Sequence, residues 1–186
     1  MNIRCNLLSA LTDKATNGIS VLDIACGSCR DLSDAIAQMG TKSAGGYFHC
    51  VDAEQRAIEY AKEVLQGNAL DVMFRWEVSN AFRLRTDKRY DLVWAAGLFD
   101  YLDDRYAEAL LRRMWDWTIE GGRIVFGNFH PGNPNRNAME WCWEWFLNYR
   151  TADDLLMLCD KAGIPQSCVK IEQEPLGICL FCVVTR

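Results

Sequence analysis

Apolar runs and amphipathic segments alternate along the chain. Short apolar runs rich in β-branched residues are typical of buried parallel strands, and apolar residues at every third or fourth position are typical of helices that cover a sheet. Runs of the first kind predict strands over residues 19–25, 47–51, 71–78, 90–96, 123–129, 168–174 and 178–185. Segments of the second kind predict helices over residues 30–39, 52–65, 103–117 and 151–163, and a Trp-rich helical segment over 133–150.

This alternation predicts an α/β fold, a doubly wound and mainly parallel sheet with helices on both faces. The last two strands are separated only by Pro175, Leu176 and Gly177, so we expect them to form an antiparallel hairpin. No internal repeat or linker interrupts the pattern. We therefore predict one domain over residues 1–186, in which the Trp-rich residues 131–150 form a lid or an interface.

Composition and charge narrow the classes of partner. Half of the 186 residues are apolar and only four are Pro, as in an ordinary globular protein. The net charge of −5, with no basic block, argues against binding to nucleic acid. No apolar run approaches the roughly 20 residues that a membrane-spanning helix needs. We expect a cytoplasmic protein that acts on a small molecule and binds no membrane, with a homodimer or a partner protein as further options.

Nine cysteines are present, an odd number in a chain that is not small, which favours free buried thiols over a disulfide framework. Two C-x-x-C spacings occur, at Cys26 with Cys29 and at Cys179 with Cys182. The second lies in a predicted strand, where residues three apart point to opposite faces and cannot share a metal. We therefore expect no metal site.

The turns after the predicted strands carry the candidate chemistry, because open α/β sheets bind ligands at the carboxyl ends of their strands. Asp23 and Gly27 lie at the end of the first strand, before a helix whose first N–H groups are free to bind a ligand. Asp52 ends the second strand, where its carboxylate could bind a ribose or cap a helix through the spacing to Gln55. Since the G-x-G-x-x-G pattern is absent, a nicotinamide-dependent dehydrogenase is disfavoured.

An acidic residue before a small-residue turn, followed by a second acidic residue after the next strand, resembles the class I S-adenosylmethionine-dependent methyltransferases. The resemblance implies a seven-stranded Rossmann-like sheet with an antiparallel last strand, and S-adenosylmethionine as cofactor. Ala25 and Cys29 stand where glycines are common in that family, and Asn80 where many members have Asp. The implied cofactor-binding residues are Asp23, Ala25, Gly27, Asp52, Ala53, Ser79, Asn80, Ala81, Ala96 and Gly97.

Further motifs resemble a narrower group within that family, the bacterial methyltransferases associated with 3-hydroxypalmitic acid methyl ester. They are the residues 95–105, 121–131, 139–141, 149–151 and 174–177. This resemblance implies an apolar or acyl-type acceptor that is methylated on a carboxylate oxygen. The alternatives are an N- or hydroxyl-O-methyltransferase of a specialised metabolite, and an inactive subunit that binds the cofactor and stabilises a partner.

The acceptor determines which residues take part in catalysis. A carboxylate is already anionic at neutral pH, whereas a hydroxyl or amine calls for a base. Of the two histidines, His130 follows the fifth strand on the ligand side, and its other interpretation is a solvated loop residue. We take His130, Asp100 and Tyr101 as the catalytic candidates. The candidates for acceptor binding are Asn128, Trp141, Trp145, Tyr149 and Arg150, the last through a carboxylate of the substrate or, alternatively, paired with Asp153 or Asp154.

Overall fold

The computed structural model describes residues 18–39, 45–66 and 72–186. The chain divides into two compact units. The first ends at Trp94, and the second comprises Ala95–Arg186. None of the helices in the described ranges is both long and apolar enough to cross a membrane. The single domain over residues 1–186 and the cytoplasmic location stay predictions.

The first unit contains parallel strands and their connecting helices. Its strands pair in the order β3-β2-β1-β4, and all of these pairs are parallel. Each helix buries the apolar residues that predicted it, as Ile58, Ala61 and Leu65 do in α2. In chain order the elements are β1 (Ser20–Ile24), α1 (Arg30–Met39), β2 (Tyr47–Asp52), α2 (Gln55–Leu65), β3 (Met73–Val78) and β4 (Tyr90–Ala95).

The second unit contains the predicted antiparallel hairpin. Its strands pair in the order β5-β7-β6, antiparallel throughout. Helix α5 begins with the predicted capping box, in which the Asp154 N–H donates to Oγ1 of Thr151 and the Thr151 N–H donates to Oδ2 of Asp154. The elements are α3 (Asp104–Asp116), β5 (Thr118–Phe129), α4 (Arg136–Trp143), α5 (Ala152–Lys161), β6 (Val169–Gln173) and β7 (Cys179–Thr185). Single 3₁₀ turns cover Phe99–Tyr101 and Gln166–Cys168.

Outside the Trp-rich segment, two element starts differ from the prediction by three or more residues. Helix α2 begins at Gln55 rather than Asp52, because Asp52 still pairs with Val78 of β3. Strand β5 begins at Thr118 rather than Arg123, and the Gly121 N–H donates to the carbonyl of Arg186 beyond the end of β7. The first residue of the third predicted strand, Asp71, lies outside the described residues.

The Trp-rich segment is helical only over Arg136–Trp143, so the predicted helix over 133–150 is too long. Glu144 ends the helix in the left-handed region, with φ at 50°. The chain beyond it is held by backbone hydrogen bonds, from Asn148 N–H to the carbonyl of Asp100 and from Arg150 N–H to the carbonyl of Phe129. These long-range partners replace the bonds that a longer helix would make.

Candidate functional site

The turn after β1 has an unusual backbone. Ala25, Gly27 and Cys29 have φ values of 53°, 54° and 51°, all in the left-handed region. Ala25 and Cys29 therefore adopt the conformation that glycine favours, although each carries a side chain. Nothing lies within 4 Å of a Cβ built on Gly27, so the space beside its Cα is open to a ligand.

Asp52 connects two of the loops at the carboxyl ends of the strands. Its Oδ2 accepts a hydrogen bond of 2.9 Å from the Gly27 N–H, and its Oδ1 accepts one of 2.9 Å from the Glu54 N–H. The residue that caps α2 is Glu54, which makes no side-chain capping bond. Asp52 thus holds the turn after β1 in place and has carboxylate lone pairs left for a further donor.

Asp23 is buried next to the end of β1, with 7% of its surface exposed. Burial raises the pKa of its carboxyl well above the usual value, and the negative potential of Cys26, Asp31 and Asp52 adds to that effect. Desolvation without a nearby cation favours the neutral acid. A ligand that brings a positive charge or hydrogen-bond donors to Asp23 would therefore stabilise its ionised form.

The turn after β3 lies beside the same loops. The Ser79 N–H donates to the carbonyl of Asp52 over 2.8 Å, and Oδ1 of Asn80 accepts from the Phe82 N–H over 2.9 Å. Asn80 is exposed, whereas Ser79 and Ala81 are half-buried, and Ala53 after β2 is exposed. The first unit thus brings together the predicted Asp23, Ala25, Gly27, Asp52, Ala53, Ser79, Asn80 and Ala81. Two carboxylates, an amide oxygen and an open backbone face fit a ligand with a cation, ribose hydroxyls and an amino group.

The remaining candidates belong to the second unit. Ala96 and Gly97 follow β4, and a Cβ on Gly127 would lie 2.6 Å from the carbonyl oxygen of Ala96, so β5 approaches this backbone closely. Asp100 is 2% exposed, and its Oδ1 accepts from the Phe129 N–H over 2.6 Å. Tyr101 is exposed, and its hydroxyl accepts from Nε1 of Trp145 over 3.0 Å.

Arg150 has a different role from the one predicted. Its Nε and Nη2 donate to Oδ1 of Asp104 over 3.1 and 2.8 Å, and Nη1 donates to the carbonyl of Phe99 and to Oδ1 of Asn128. Nη2 also donates to the carbonyl of Leu102 over 2.7 Å. A guanidinium has five N–H donors, and all five are used within the chain. The buried Arg150 therefore fixes the local structure, and its expected bond to a substrate carboxylate is corrected; its carboxylate partner is Asp104, not Asp153 or Asp154.

Asn128 belongs to the same network. Its side chain is fully buried, and its Nδ2 donates to the carbonyls of Phe129 and Asn148 over 3.1 and 2.9 Å. Its oxygen accepts from Arg150. Both polar ends are thus paired within the chain, and the predicted contact of Asn128 with the acceptor is corrected to a positioning role.

The two histidines differ in their surroundings. His49 is buried in β2, where Nδ1 lies 2.7 Å from the hydroxyl of Tyr90 and Nε2 lies 3.1 Å from a carboxylate oxygen of Glu77. His130 is half-buried, and its Nδ1 accepts from the Gly132 N–H over 3.0 Å. A neutral imidazole that accepts at Nδ1 carries its proton at Nε2.

A cavity of about 640 Å³ opens within the second unit. Its lining is mixed. Apolar side chains such as Leu147 and Met157 stand beside charged ones of both signs, the cations including Arg136 and Lys161 and the carboxylates being Asp103, Asp104 and Asp154. The hydroxyl of Tyr149, one of the predicted acceptor residues, is buried and has no hydrogen-bond partner in the described part of the chain. The Arg136 guanidinium lies 4.4 Å from the centre of the Tyr149 ring.

The aromatic residues of the Trp-rich segment are largely exposed. Trp141 and Trp143 are 86% and 65% exposed, and Phe146 is 69% exposed. Trp145 packs edge-on against Phe129, with ring centres 6.2 Å apart. The all-round apolar character of this segment therefore comes from surface aromatics, not from packing in a core.

Sequence reasoning missed two features. Asp104 falls in the helix predicted over 103–117 and was given no role in the site, although it is the carboxylate partner of Arg150. Cys50 was not singled out, although it lies in register with Asp23 on the neighbouring strand. Its position two residues before Asp52 was the one available signal, because residues two apart on a strand point to the same face.

Solved structures with a similar fold align with nearly the whole chain. A possible exported protein from Bordetella parapertussis has 20% identity and a TM-score of 0.83, covering 99% of this chain and 67% of that one. An O-methyltransferase family protein from Burkholderia thailandensis has 15% identity and a TM-score of 0.72, covering 98% and 55%. Magnesium protoporphyrin IX methyltransferase from Synechocystis PCC 6803, with bound SAH, has 13% identity and a TM-score of 0.71, covering 98% and 82%. These alignments confirm the predicted α/β fold.

The chain spans 55% of the length of the Burkholderia protein and 82% of the length of the Synechocystis protein. No curated protein sequence matches it. A family model described as a methyltransferase domain matches residues 21–122, more than half of the chain. This match confirms the predicted enzyme class and, with it, S-adenosylmethionine as the methyl donor. The chain belongs to the methyltransferase domain family.

Proposed function

We propose that the chain methylates a carboxylate oxygen of a small apolar or acyl-type molecule, forming a methyl ester. The observation that carries this proposal is the hydrogen bond from the Gly132 N–H to Nδ1 of His130. With the proton of the neutral ring at Nε2, Nδ1 is the nitrogen that could accept a further proton, and this hydrogen bond occupies it. His130 is therefore unsuited to act as a general base, and the acceptor that needs no base is a carboxylate.

Asp100 supports the same choice of acceptor. Its carboxylate is buried, and one oxygen accepts a short hydrogen bond from the backbone of β5. A carboxylate committed to a backbone N–H is weakened as a base, because protonation would cost that charge-assisted bond. We assign Asp100 a positioning role, since it ties the turn Phe99–Tyr101 to the end of β5.

The cofactor supplies a methyl group on a positively charged sulfur, and its transfer to a carboxylate breaks one C–S bond and forms one C–O bond without moving a proton. The residues of this chain then have to bind, orient and exclude water. Asp52 would hold the ribose hydroxyls, and the open face of Gly27 would let the ligand approach the backbone. Asp23 would contact the positively charged amino-acid portion, and Asn80 the adenine.

We further propose that the cavity of the second unit binds the acceptor. The apolar side chains of its lining, Leu147, Met157 and Leu158, can pack against an acyl chain, and Arg136, which pairs with Glu140, offers a positive charge for the carboxylate. Burial and the charge of Glu140 raise the pKa of Tyr149, so its unpaired hydroxyl stays protonated and can donate a hydrogen bond to that carboxylate. Trp141 and Trp145 of the Trp-rich segment lie between Arg136 and Tyr149 in the sequence. As acceptor-binding residues they would cover the acyl chain.

The experiment compares matched acceptors. The purified chain and the methyl donor are incubated with a medium-chain or long-chain 3-hydroxy acid, the corresponding diol and the corresponding amine, and products are identified by mass spectrometry. We expect only the acid to gain a methyl group, as an ester that alkali cleaves. Methylation of the diol or the amine instead would overturn the proposal in favour of an N- or hydroxyl-O-methyltransferase.

Two variants test the roles of the residues. His130→Ala should keep most of the activity on the acid, whereas loss of a true general base lowers the rate by roughly a hundredfold or more. Tyr149→Phe should raise KM for the acid while kcat changes little, because the hydroxyl is expected to bind substrate. Cofactor binding without any product over the whole panel would favour the inactive-subunit alternative.

The exposed aromatic residues of the Trp-rich segment suggest a surface that binds another molecule. We propose that the Trp-rich segment is covered by another molecule, either a second copy of the chain or the bound acceptor. The double variant Trp141→Ser with Trp143→Ser separates these: a change in mass in solution indicates an interface, and a raised KM at unchanged mass indicates a lid. If neither mass nor KM changes, the proposal is wrong.

A further inference from the structure

Two thiols and a carboxylate meet at the base of the turn after β1, and a third thiol lies next to them. The donor atoms of Asp23, Cys29 and Cys50 all lie within 4.8 Å of one another, and the three residues are buried. Asp23 and Cys50 are register partners on the adjacent parallel strands β1 and β2. The Cys26 thiol is close enough to the thiols of Cys29 and Cys50 to interact with both.

This donor set matches the preference of a soft or borderline divalent cation. Zinc takes four ligands in a tetrahedron with Zn–S distances of about 2.3 Å, which places neighbouring sulfur atoms about 3.8 Å apart. The donor atoms of Asp23, Cys29 and Cys50, all within 4.8 Å of one another, would each have to move inward by less than about 1 Å to reach these distances. The C-x-x-C spacing of Cys26 and Cys29 lies on a turn and not on a strand, so both thiols reach the same side as Cys50.

We propose that Asp23, Cys29 and Cys50 bind one zinc-type cation, with the neighbouring Cys26 thiol turning in as the fourth ligand. The sequence favoured no metal here because the second C-x-x-C pair lies in a strand; the structure instead places Cys50 and Asp23 beside the first pair. When the cation binds, thiol protons leave and thiolate–metal bonds form, with no change of oxidation state.

The electrostatics of the cluster agree with this site. The neighbouring Cys26 and Cys50 thiols lower the pKa of Cys29 to about 6. The Cys29 thiol and burial raise the pKa of Cys26, and the Cys26 and Cys29 thiols together with burial raise the pKa of Cys50. A cation would remove the proton from these thiols, so its affinity should rise with pH.

The site has a consequence for the methyl donor. Asp23 is also the carboxylate proposed to contact the cofactor, so a bound cation and the cofactor should compete. This competition rests on the proposed function, whereas the metal site itself does not. Cation binding is therefore measured without the cofactor, and cofactor binding is measured separately in the presence of a chelator.

The test uses the full chain after removal of metals with a chelator. Cadmium serves as a spectroscopic probe, because cadmium–thiolate bonds absorb in the ultraviolet, and zinc binding is followed by calorimetry. We expect one cation per chain. Cys50→Ser and Cys29→Ser should each lower the affinity at least tenfold. The absence of a thiolate band, or of one bound equivalent, would overturn the proposal.

A matched control is available in the second unit. The thiols of Cys159 and Cys182 lie 3.7 Å apart and are buried, but among the described residues only Asp23, Cys29 and Cys50 form a metal-type group of three donors. Cys159→Ser should leave cation affinity unchanged. Equal affinities for Cys159→Ser and Cys29→Ser would assign the signal to thiols in general and contradict the site. Cys26 is only half-buried, so Cys26→Ser is the safer variant should Cys50→Ser fail to fold.

Discussion

The backbone N–H of Gly27 donates to the carboxylate of Asp52 over 2.9 Å, although the two residues lie 25 positions apart. The bond joins the turn after β1 to the end of β2. Asp52 therefore has two functions that its place in the sequence does not separate, since it orders the turn and offers oxygens to a ligand.

Asp52→Ala should weaken binding of S-adenosylhomocysteine by at least tenfold, because hydrogen bonds to a charged group contribute about 1.5–3 kcal/mol. It should also lower the free energy of unfolding by about 1 kcal/mol, since the Gly27 and Glu54 N–H groups lose their acceptor. Calorimetry and urea unfolding measure the two effects. Glu59→Ala, an exposed carboxylate on α2, is the control and should change neither quantity by a comparable amount.

Asp23→Asn should stabilise the ligand-free protein at neutral pH while it weakens cofactor binding. Because the folded-state pKa of Asp23 is raised, the folded carboxyl keeps its proton at pH values where the unfolded chain has lost it. Its contribution to stability is therefore greatest below about pH 4 and is lost as pH rises through the folded pKa. Because Asn does not titrate, the free energy of unfolding of Asp23→Asn does not fall with pH in this way.

Urea unfolding of both proteins between pH 5 and 8 measures the difference. We expect the advantage of Asp23→Asn in the free energy of unfolding to grow with pH and to reach about 1 kcal/mol or more. A variant that is less stable than the parent over the whole range would show that Asp23 is ionised and well paired in the folded state.

Some elements could be predicted because short-range signals determine them. The capping box at Thr151 and Asp154 places the start of α5, and apolar spacing places α1 over Arg30–Met39. The starts of α2 and β5 could not be placed, because Asp52 and Gly121 are held by partners on distant parts of the chain. Local patterns carry no information about such pairing.

The same distinction applies to the candidate site. The proximity of Asp23, Gly27 and Asp52 follows from parallel strand order, since successive strand ends meet at one edge of the sheet. The five internal bonds of Arg150 depend on the positions of four separate residues. The thiol cluster depends on the register that puts Cys50 beside Asp23. Neither arrangement has a signature in residue spacing.

Ala25→Gly should stabilise the protein. The left-handed region costs a residue with a Cβ roughly 1–2 kcal/mol, and glycine adopts it without that strain. Glycine also raises the entropy of the unfolded chain, which offsets about 0.4–1 kcal/mol of the gain. We expect a net gain of about 0.5–1 kcal/mol in the free energy of unfolding. Ala57→Gly, in the helical part of α2, should instead lose about 1 kcal/mol. A loss at both positions would mean that the methyl group of Ala25 makes packing contacts that outweigh its strain.

Arg150→Met should act mainly on stability. The substitution leaves the buried Asn128 oxygen and two backbone carbonyls without their donors, at about 1–3 kcal/mol for each unsatisfied group. Asp104 adds little, because 65% of its side chain is exposed to water. Lys170→Met is the matched control, because Lys170 pairs with Glu172 at the surface with 75% of its side chain exposed. That change should alter the free energy of unfolding by less than about 1 kcal/mol. Urea unfolding of both variants measures the effects. If Arg150 instead bound the carboxylate of the acceptor, Arg150→Met would fold with nearly the parental stability and show a raised KM. The free energy of unfolding and KM together therefore distinguish a positioning residue from a substrate contact.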